Sequence, residues 1–296
     1  FREAAGGGAW WEQMQQDHGY NASPIWTMIA RPLASLAPAS DQTLRALAAI
    51  DPLLMAACLV ALGWAFGFEI AALAALFWGT QAAAEVIWTG GAFLRQDWLL
   101  CAVLGVALLK RRRPFTAGVL LTAAGLLRVF PLLLWAGPLL VIGASMLRNR
   151  RISQLHRRLL AGGALCALIS LGASVATQGS ADHADFVRRL TVHAASPISN
   201  HISLRTLLSA SGGARLETML DASQLDPARP WAEARRERSD QLRWLQLMAA
   251  SAVLVAFGTV VLRARRLWVA TSLSIVLIPV LTDPSCYYYS VFLLAV

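Results

Sequence analysis

The chain of 296 residues is too apolar for an ordinary soluble domain, because 57% of its residues are hydrophobic and only 15% are charged, whereas soluble domains carry about 25% charged residues. Its net charge of +9 would suit a nucleic-acid-binding protein. The positive excess lies in short loops between apolar runs, however, which argues against nucleic acid and indicates a membrane protein whose loops contact anionic lipids.

Three clusters of basic residues contain no acid and hold 12 of the 26 basic residues: 110–113, 148–158 and 263–266. Because short loops rich in Lys and Arg stay in the cytoplasm, we expect all three clusters on the inner side of the membrane. Several polar residues at the other ends of the helices must then face outward. They are Arg95, Asp97, Arg128, His201 and Tyr287.

The apolar runs predict five elements before the first basic cluster. They are a first outer loop at 1–42 with a short amphipathic helix near 25–36, an inward helix at 43–65, a return helix at 68–88, an outer loop at 89–97 and a short inward helix at 98–109. Asp51-Pro52 is expected to interrupt the first inward helix, since proline removes a backbone donor.

The run 115–147 is too long for one transmembrane helix, since it would measure about 50 Å against a hydrocarbon core of about 30 Å. A single span would also place two basic clusters on opposite sides of the membrane. Pro131, just after Arg128, resolves both problems because proline disfavours helix continuation. We therefore predict a hairpin of two short helices that turns at Arg128.

The rest of the chain is predicted to cross the membrane several more times. The elements are an outward helix at 158–177, a long outer loop segment at 178–243, an inward helix at 244–262, an outward helix at 267–282 and a final inward run. That run stops at Val296 after about ten residues, whereas a span needs about 20. We expect an all-α, polytopic transmembrane bundle, with 1–296 as one membrane domain truncated at both ends.

The position of Arg128 at the end of a short helix allows two interpretations of its role. A helix from Phe115 to Arg128 rises about 21 Å, some 9 Å short of the hydrocarbon core. The guanidinium therefore either extends to the outer headgroups or lies at the floor of an outward cavity and binds a phosphate.

Other polar residues near the outer helix ends also allow two interpretations. Arg95 and Asp97 form either a structural ion pair at a helix start or contacts to a substrate. Gln81 and Glu85, four residues apart, share a helix face and either line the same cavity or pair with a neighbouring helix.

Four sequence segments together resemble the bacterial mannosyltransferase-like family of the GT-C membrane glycosyltransferases. In 90–140 a short helix, a basic loop and an Ala-Gly helix precede Arg128 and Pro131. The other three segments are "YNASPIWTMIARPLASLAP", "NHISLRTLL" from Asn200 and "DPSCYYYSVFLL" around Tyr287. These segments occur in the family's order and are spread over most of the chain, from residue 20 to residue 294.

The resemblance implies an inverting transfer of a mannose-like sugar from a polyprenyl-phosphate donor to a glycan or lipid-linked acceptor. Transfer would occur on the periplasmic face of a bacterial inner membrane, without cofactor or metal. The general-base carboxylate is expected upstream of Phe1, with Asp17 as the candidate inside the chain. Contacts to the donor phosphate and substrate are expected from the following residues: Arg95, Asp97, Arg128, Asn200, His201 and Tyr287.

A polytopic transporter or lipid flippase without transferase activity is the alternative function, because broken helices and ionisable residues near the midplane occur in transporters as well. Two observations favour the enzyme over the transporter. No inverted repeat is detectable in the sequence, and 178–243 forms an unusually long outer segment. A structural membrane subunit is a further possibility.

Overall fold

The structure, a computed structural model, describes residues 22–81, 93–211, 213, 215–224, 226–264 and 266–295. Over these residues the protein is an all-α bundle, as predicted. The described residues contain no strand beyond an isolated antiparallel bridge between His201 and Ser285.

The described residues up to Gln178 form eight α-helices and one 3₁₀ helix. They are α1 Pro24–Ala34, α2 Asp41–Ala48, α3 Ile50–Phe66, α4 Phe68–Thr80, α5 Asp97–Lys110, α6 Pro114–Leu127, the 3₁₀ helix Phe130–Trp135, α7 Ala136–Asn149 and α8 Gln154–Gln178.

The second half begins with short polar helices and ends with apolar segments. In order these are α9 Ser180–Ala195, α10 Leu204–Ser209, α11 Leu216–Met219, α12 Arg229–Gln241, α13 Arg243–Arg263, α14 Leu267–Leu273, the 3₁₀ helix Ser274–Val276, α15 Leu277–Leu281 and the 3₁₀ helix Cys286–Ala295.

Four described helical stretches are long and apolar enough to cross a membrane: Asp41–Phe66, Phe130–Asn149, Gln154–Gln178 and Arg243–Arg263. Only 6% of the apolar window of the last one is buried inside the protein. Its exposed side chains include Leu247, Val255 and Leu262. A helix that presents so many large apolar side chains to its surroundings fits a lipid environment.

The three basic clusters converge at one end of the bundle, here called the basic end. A single cavity is lined by Lys110 and Arg112 from the first cluster, His156 from the second and Arg266 from the third. The Lys110 ammonium also lies 4.7 Å from the ring centroid of Trp268. The sequence predicted this convergence, whereas the side of the membrane on which the basic end lies stays a prediction.

The predicted turn at Arg128 is confirmed, but only the first of the two helices is short, since the returning stretch Phe130–Asn149 is long enough to cross a membrane. Helix α6 ends at Leu127, and Arg128 has an extended backbone (φ −140°, ψ 126°). Leu132 folds back so closely that a Cβ on Gly125 would lie 2.3 Å from its side chain. Pro131 is in the first turn of the following 3₁₀ helix, where its missing N–H costs little. Helix α7 then returns to the basic end.

Two predicted helix limits are wrong. Helix α4 ends at Thr80, and Gln81 has an extended backbone (φ −66°, ψ 119°). Glu85 lies outside the described residues, so the predicted pairing of Gln81 with Glu85 stays a prediction. The first inward helix is broken at Ala49 rather than at Asp51-Pro52. Pro52 is in the first turn of α3, where a helix tolerates proline.

The segment 178–243, predicted as a long outer loop segment, contains four helices that the sequence did not indicate; its position on the outer side stays a prediction. It contains α9 to α12 and begins at Gly179, whose left-handed φ of +92° separates α8 from α9. Gln246 in the first turn of α13 donates hydrogen bonds to the backbone and side chain of Ser239, which lies near the end of α12. The polar composition of the segment hid these helices, because they lack a wide apolar stripe.

Helices α6 and α8 cross at glycines, which let their backbones touch. A Cβ on Gly118 would lie 2.1 Å from the Leu159 carbonyl oxygen, and a Cβ on Gly162 would lie 2.0 Å from that of Phe115. Small residues play this role in membrane bundles, where lipid tails compete with apolar side chains. The crossing fixes the position of α6 and therefore of Arg128 at its end.

We expect Gly162→Ala to destabilise the protein by about 3 kcal/mol, because the new methyl group must push two backbones apart. Thermal unfolding in detergent measures the loss. Gly172→Ala is the matched control on the same helix, since a methyl group added there would meet no neighbouring atom within 4 Å. The control should keep or raise the melting temperature, and equal melting temperatures for the two variants would contradict the close crossing.

Single cysteines in a background without native cysteines test the topology. We expect cysteines at Arg111, Ile152 and Ala264 to react with a membrane-impermeant reagent from the cytoplasmic side, because their loops are basic. Cysteines at Asn200 and Pro230 should react from the opposite side. Labelling of positions 111 and 152 from different sides would rule out the hairpin.

Candidate functional site

The site is organised around Asp51, which is fully buried in the first turn of α3. Its carboxylate accepts hydrogen bonds from the backbone N–H of Arg95 (2.9 and 3.1 Å) and of Gln96 (2.9 Å). A buried carboxylate needs such donors to offset the loss of water. The contacts hold residues 94–96 in a fixed turn just before α5.

Leu94 in this turn has a left-handed φ of +48°, a costly conformation for a residue with a branched side chain. Its carbonyl oxygen accepts hydrogen bonds from Trp26 Nε1 (3.0 Å) and Arg128 Nη2 (3.4 Å). The turn thereby joins α1, α5 and the end of α6. These contacts lie at the end of the bundle opposite the basic end.

Arg128 is half-buried and has no ion-pair partner among the described residues. Its Nη1 donates to the Leu127 carbonyl (3.1 Å), and its Nε is buried with no acceptor in the described chain. The guanidinium carbon lies 5.4 Å from the ring centroid of Trp26, at cation–π distance. The positive charge therefore has carbonyls and a ring around it, but no carboxylate from the described chain in contact.

Asp97 lies on the same side of the bundle and is within the electrostatic reach of Arg128. Its Oδ1 accepts a hydrogen bond from the Trp98 backbone N–H (2.7 Å), whereas Oδ2 is buried with no donor among the described residues. Arg95 and Asp97 form no ion pair with each other. One carboxylate oxygen of Asp97 therefore has an unused acceptor position.

Tyrosines from the last segment complete the site. The Arg95 guanidinium lies 4.5 Å from the ring centroid of Tyr287. Tyr288 packs edge-on against Trp98, and Trp98 packs against Phe130. Ser290 donates a hydrogen bond to the buried Gln96 side chain over 3.2 Å. The final 3₁₀ helix is therefore fastened to the turn that Asp51 holds.

Asn200 and His201 lie beside this tyrosine segment and contact it through the backbone. The Asn200 carbonyl accepts a hydrogen bond from the Cys286 N–H (2.8 Å), and His201 forms the bridge with Ser285. His201 is buried and packs against His193, with ring centroids 5.6 Å apart. Their neighbourhood includes Asp283, which accepts from Arg205 (3.0 Å) and from Ser203.

The structure thus brings the predicted binding residues to one end of the bundle. Arg95, Asp97, Arg128 and Tyr287 gather around the turn at 94–96, and Asn200 and His201 lie next to that group. Asp17, the candidate base, lies outside the described residues.

Sequence reasoning missed three contributors to the site: Trp26, the Leu94 carbonyl and the central role of Asp51. Of these three, only Asp51 could have been noticed in the sequence, because it is a charged residue inside an apolar run. Helix α1 covers Arg128 through Trp26.

The described residues contain no group of three or more His, Cys, Asp or Glu side chains that could hold a metal ion. Comparisons with family models, with curated proteins and with solved structures find no match to this chain. The family resemblance of the four sequence segments therefore stays a prediction.

We expect Asp51→Asn to destabilise the protein by about 2–3 kcal/mol, because the amide offers one acceptor oxygen to donors that now share two. Chemical denaturation in detergent measures this free energy of unfolding. Asp41→Asn, at the exposed start of α2, is the control and should change it by less than about 0.5 kcal/mol. Equal effects would show that the contacts to Arg95 and Gln96 do not hold the turn.

Proposed function

We propose that the protein is a membrane glycosyltransferase that transfers a mannose-like sugar from a polyprenyl-phosphate donor to a glycan or lipid-linked acceptor. The observation that carries this proposal is the half-buried guanidinium of Arg128, which has no carboxylate partner among the described residues. A partly desolvated cation with no carboxylate in direct contact is unfavourable, and a phosphate in two-point contact with the guanidinium would compensate it.

The depth of Arg128 supports a lipid-linked phosphate over a soluble one. The 14 residues of α6 rise about 21 Å, some 9 Å less than the hydrocarbon core. A phosphate bound there would keep its polyprenyl chain in the bilayer and direct its sugar towards water. The acceptor hydroxyl would then attack the anomeric carbon as the phosphate leaves with its bonding electrons.

The charged and aromatic neighbours of Arg128 can each serve this transfer. Asp97 Oδ2, which has no donor among the described residues, is placed to accept a hydrogen bond from a sugar hydroxyl. The Tyr287 ring, stacked under Arg95, offers an apolar surface for a sugar face. The proton of the acceptor hydroxyl must pass to a carboxylate acting as general base; Asp17, the candidate in this chain, lies outside the described residues.

The charge pattern supports an outward-facing site. All three basic clusters lie at the end of the bundle opposite Arg128. With that basic end in the cytoplasm, the site faces the periplasm of a bacterial inner membrane.

We expect Arg128→Ala to lower sugar transfer from a polyprenyl-phosphate donor by about 10²–10³-fold, because one transition-state contact to the leaving phosphate is lost. Arg128→Lys should keep part of the activity, since it retains the charge but loses the planar fork. Transfer is measured with the full-length protein in liposomes that contain the donor.

The control for this experiment is Arg31→Ala, which removes an exposed arginine from the last turn of α1 and should leave the rate unchanged. Undiminished transfer by Arg128→Ala would remove Arg128 from the proposed mechanism. If the wild-type protein moves the donor lipid across the bilayer but transfers no sugar to any acceptor, the flippase alternative replaces the transferase.

A further inference from the structure

The basic end contains a cavity of about 500 Å³ that the proposed function does not use. Its lining combines apolar side chains with a compact set of polar and charged ones: Lys110, Arg112, Ser153, His156, Arg266 and Trp268. The described lining contains no carboxylate. If the basic residues of these loops served only to orient the protein in the membrane, they would not need to enclose a cavity.

The cations of the cavity have no anionic partner within the described chain. None of Lys110, Arg112 and Arg266 takes part in its ion pairs. Three positive charges around one cavity repel one another unless an anion lies between them. An anion that fills the cavity would remove that repulsion.

Lys110 is held at the cavity by two aromatic rings. Its ammonium lies 5.3 Å from the ring centroid of Phe66 and 4.7 Å from that of Trp268. Both distances fall within cation–π range. The rings restrict the long side chain before any ligand arrives, which lowers the entropy cost of binding.

Helix α8 starts at the same cavity and adds a second source of positive potential. Ser153 caps this 25-residue helix by accepting a hydrogen bond from the His156 N–H (3.2 Å). The N-terminus of a long helix attracts anions. The His156 side chain also lines the cavity, and its buried Nδ1 has no partner among the described residues.

We propose that this cavity binds a phosphate group, carried by an anionic lipid headgroup or by a small soluble phosphate. Lysine and arginine side chains supply charge-assisted hydrogen bonds to phosphate oxygens. The apolar wall contributed by Leu109, Val141 and Leu267 suits the glycerol and upper acyl region of a lipid. The site is distinct from Arg128, which lies at the other end of α6.

Binding to the purified full chain in an uncharged detergent tests the proposal. The probes are dioctanoyl-phosphatidylglycerol, dioctanoyl-phosphatidylcholine and inorganic phosphate, followed by calorimetry. We expect the phosphatidylglycerol to bind and the phosphatidylcholine to bind at least tenfold more weakly, since only the former carries a net negative charge. Equal affinities for the two lipids would overturn the proposal.

The triple variant Lys110→Gln, Arg112→Gln and Arg266→Gln should bind phosphatidylglycerol about 100-fold more weakly, at about fivefold for each charge removed. The matched control removes three exposed arginines from the same end, with Arg148→Gln, Arg151→Gln and Arg157→Gln, none of which lines the cavity. The control should stay within about threefold of the wild type, because these exposed charges lie outside the cavity and are screened by salt. Equal losses would show that only the general surface charge matters, and would overturn the cavity site.

Competition separates the two sources of phosphate. If inorganic phosphate displaces phosphatidylglycerol, the site accepts a soluble phosphate as well. If millimolar phosphate leaves lipid binding unchanged, the ligand is the lipid headgroup. Should the triple variant fail to fold, the single variants Lys110→Gln and Arg266→Gln replace it. Each is expected to bind phosphatidylglycerol about fivefold more weakly than the wild type. An unchanged affinity in both would contradict the proposal.

Discussion

The hydrogen bonds from the Arg95 and Gln96 backbone to the Asp51 carboxylate are the constraint on which the site depends. They fix one short turn, and each residue of that turn then serves a different partner. Leu94 presents its carbonyl to Arg128, Arg95 stacks on Tyr287 and Gln96 holds Ser290. A buried anion thus acts as a structural anchor, and the nearby cation remains available for a ligand.

The position of Arg128 follows from backbone packing rather than from side-chain recognition. Helices α6 and α8 touch through Gly118 and Gly162, so α6 cannot slide along its neighbour without a clash. In lipid, apolar side chains gain little free energy from packing against each other. Close backbone contacts therefore contribute a larger part of the folding stability than they do in a water-soluble protein. The depth of the Arg128 guanidinium in the bundle is therefore set by close packing at three glycines: Gly118, Gly162 and Gly125, against which Leu132 packs.

Charge patterning and proline made much of this fold predictable. The acid-free clusters placed three loops at one end, and Arg128 with Pro131 located the hairpin, because both signals act through local sequence. The role of Asp51 was not predictable in this way, since its partners lie 44 and 45 residues away. The helices between Gly179 and Gln241 were missed because the sequence there lacks the apolar stripe by which helices are recognised.

The hydrogen bond between Ser290 and Gln96 joins residues that are 194 positions apart, and it has a consequence for the order of assembly. Membrane helices leave the ribosome in sequence, and the parts made first fold first. Helices α3 and α5 can bring Asp51 to its backbone partners early, but Tyr287, which packs on Arg95, arrives only after every other described helix has been made. The site therefore stays open on one side during synthesis, and its closure coincides with the arrival of the final 3₁₀ helix.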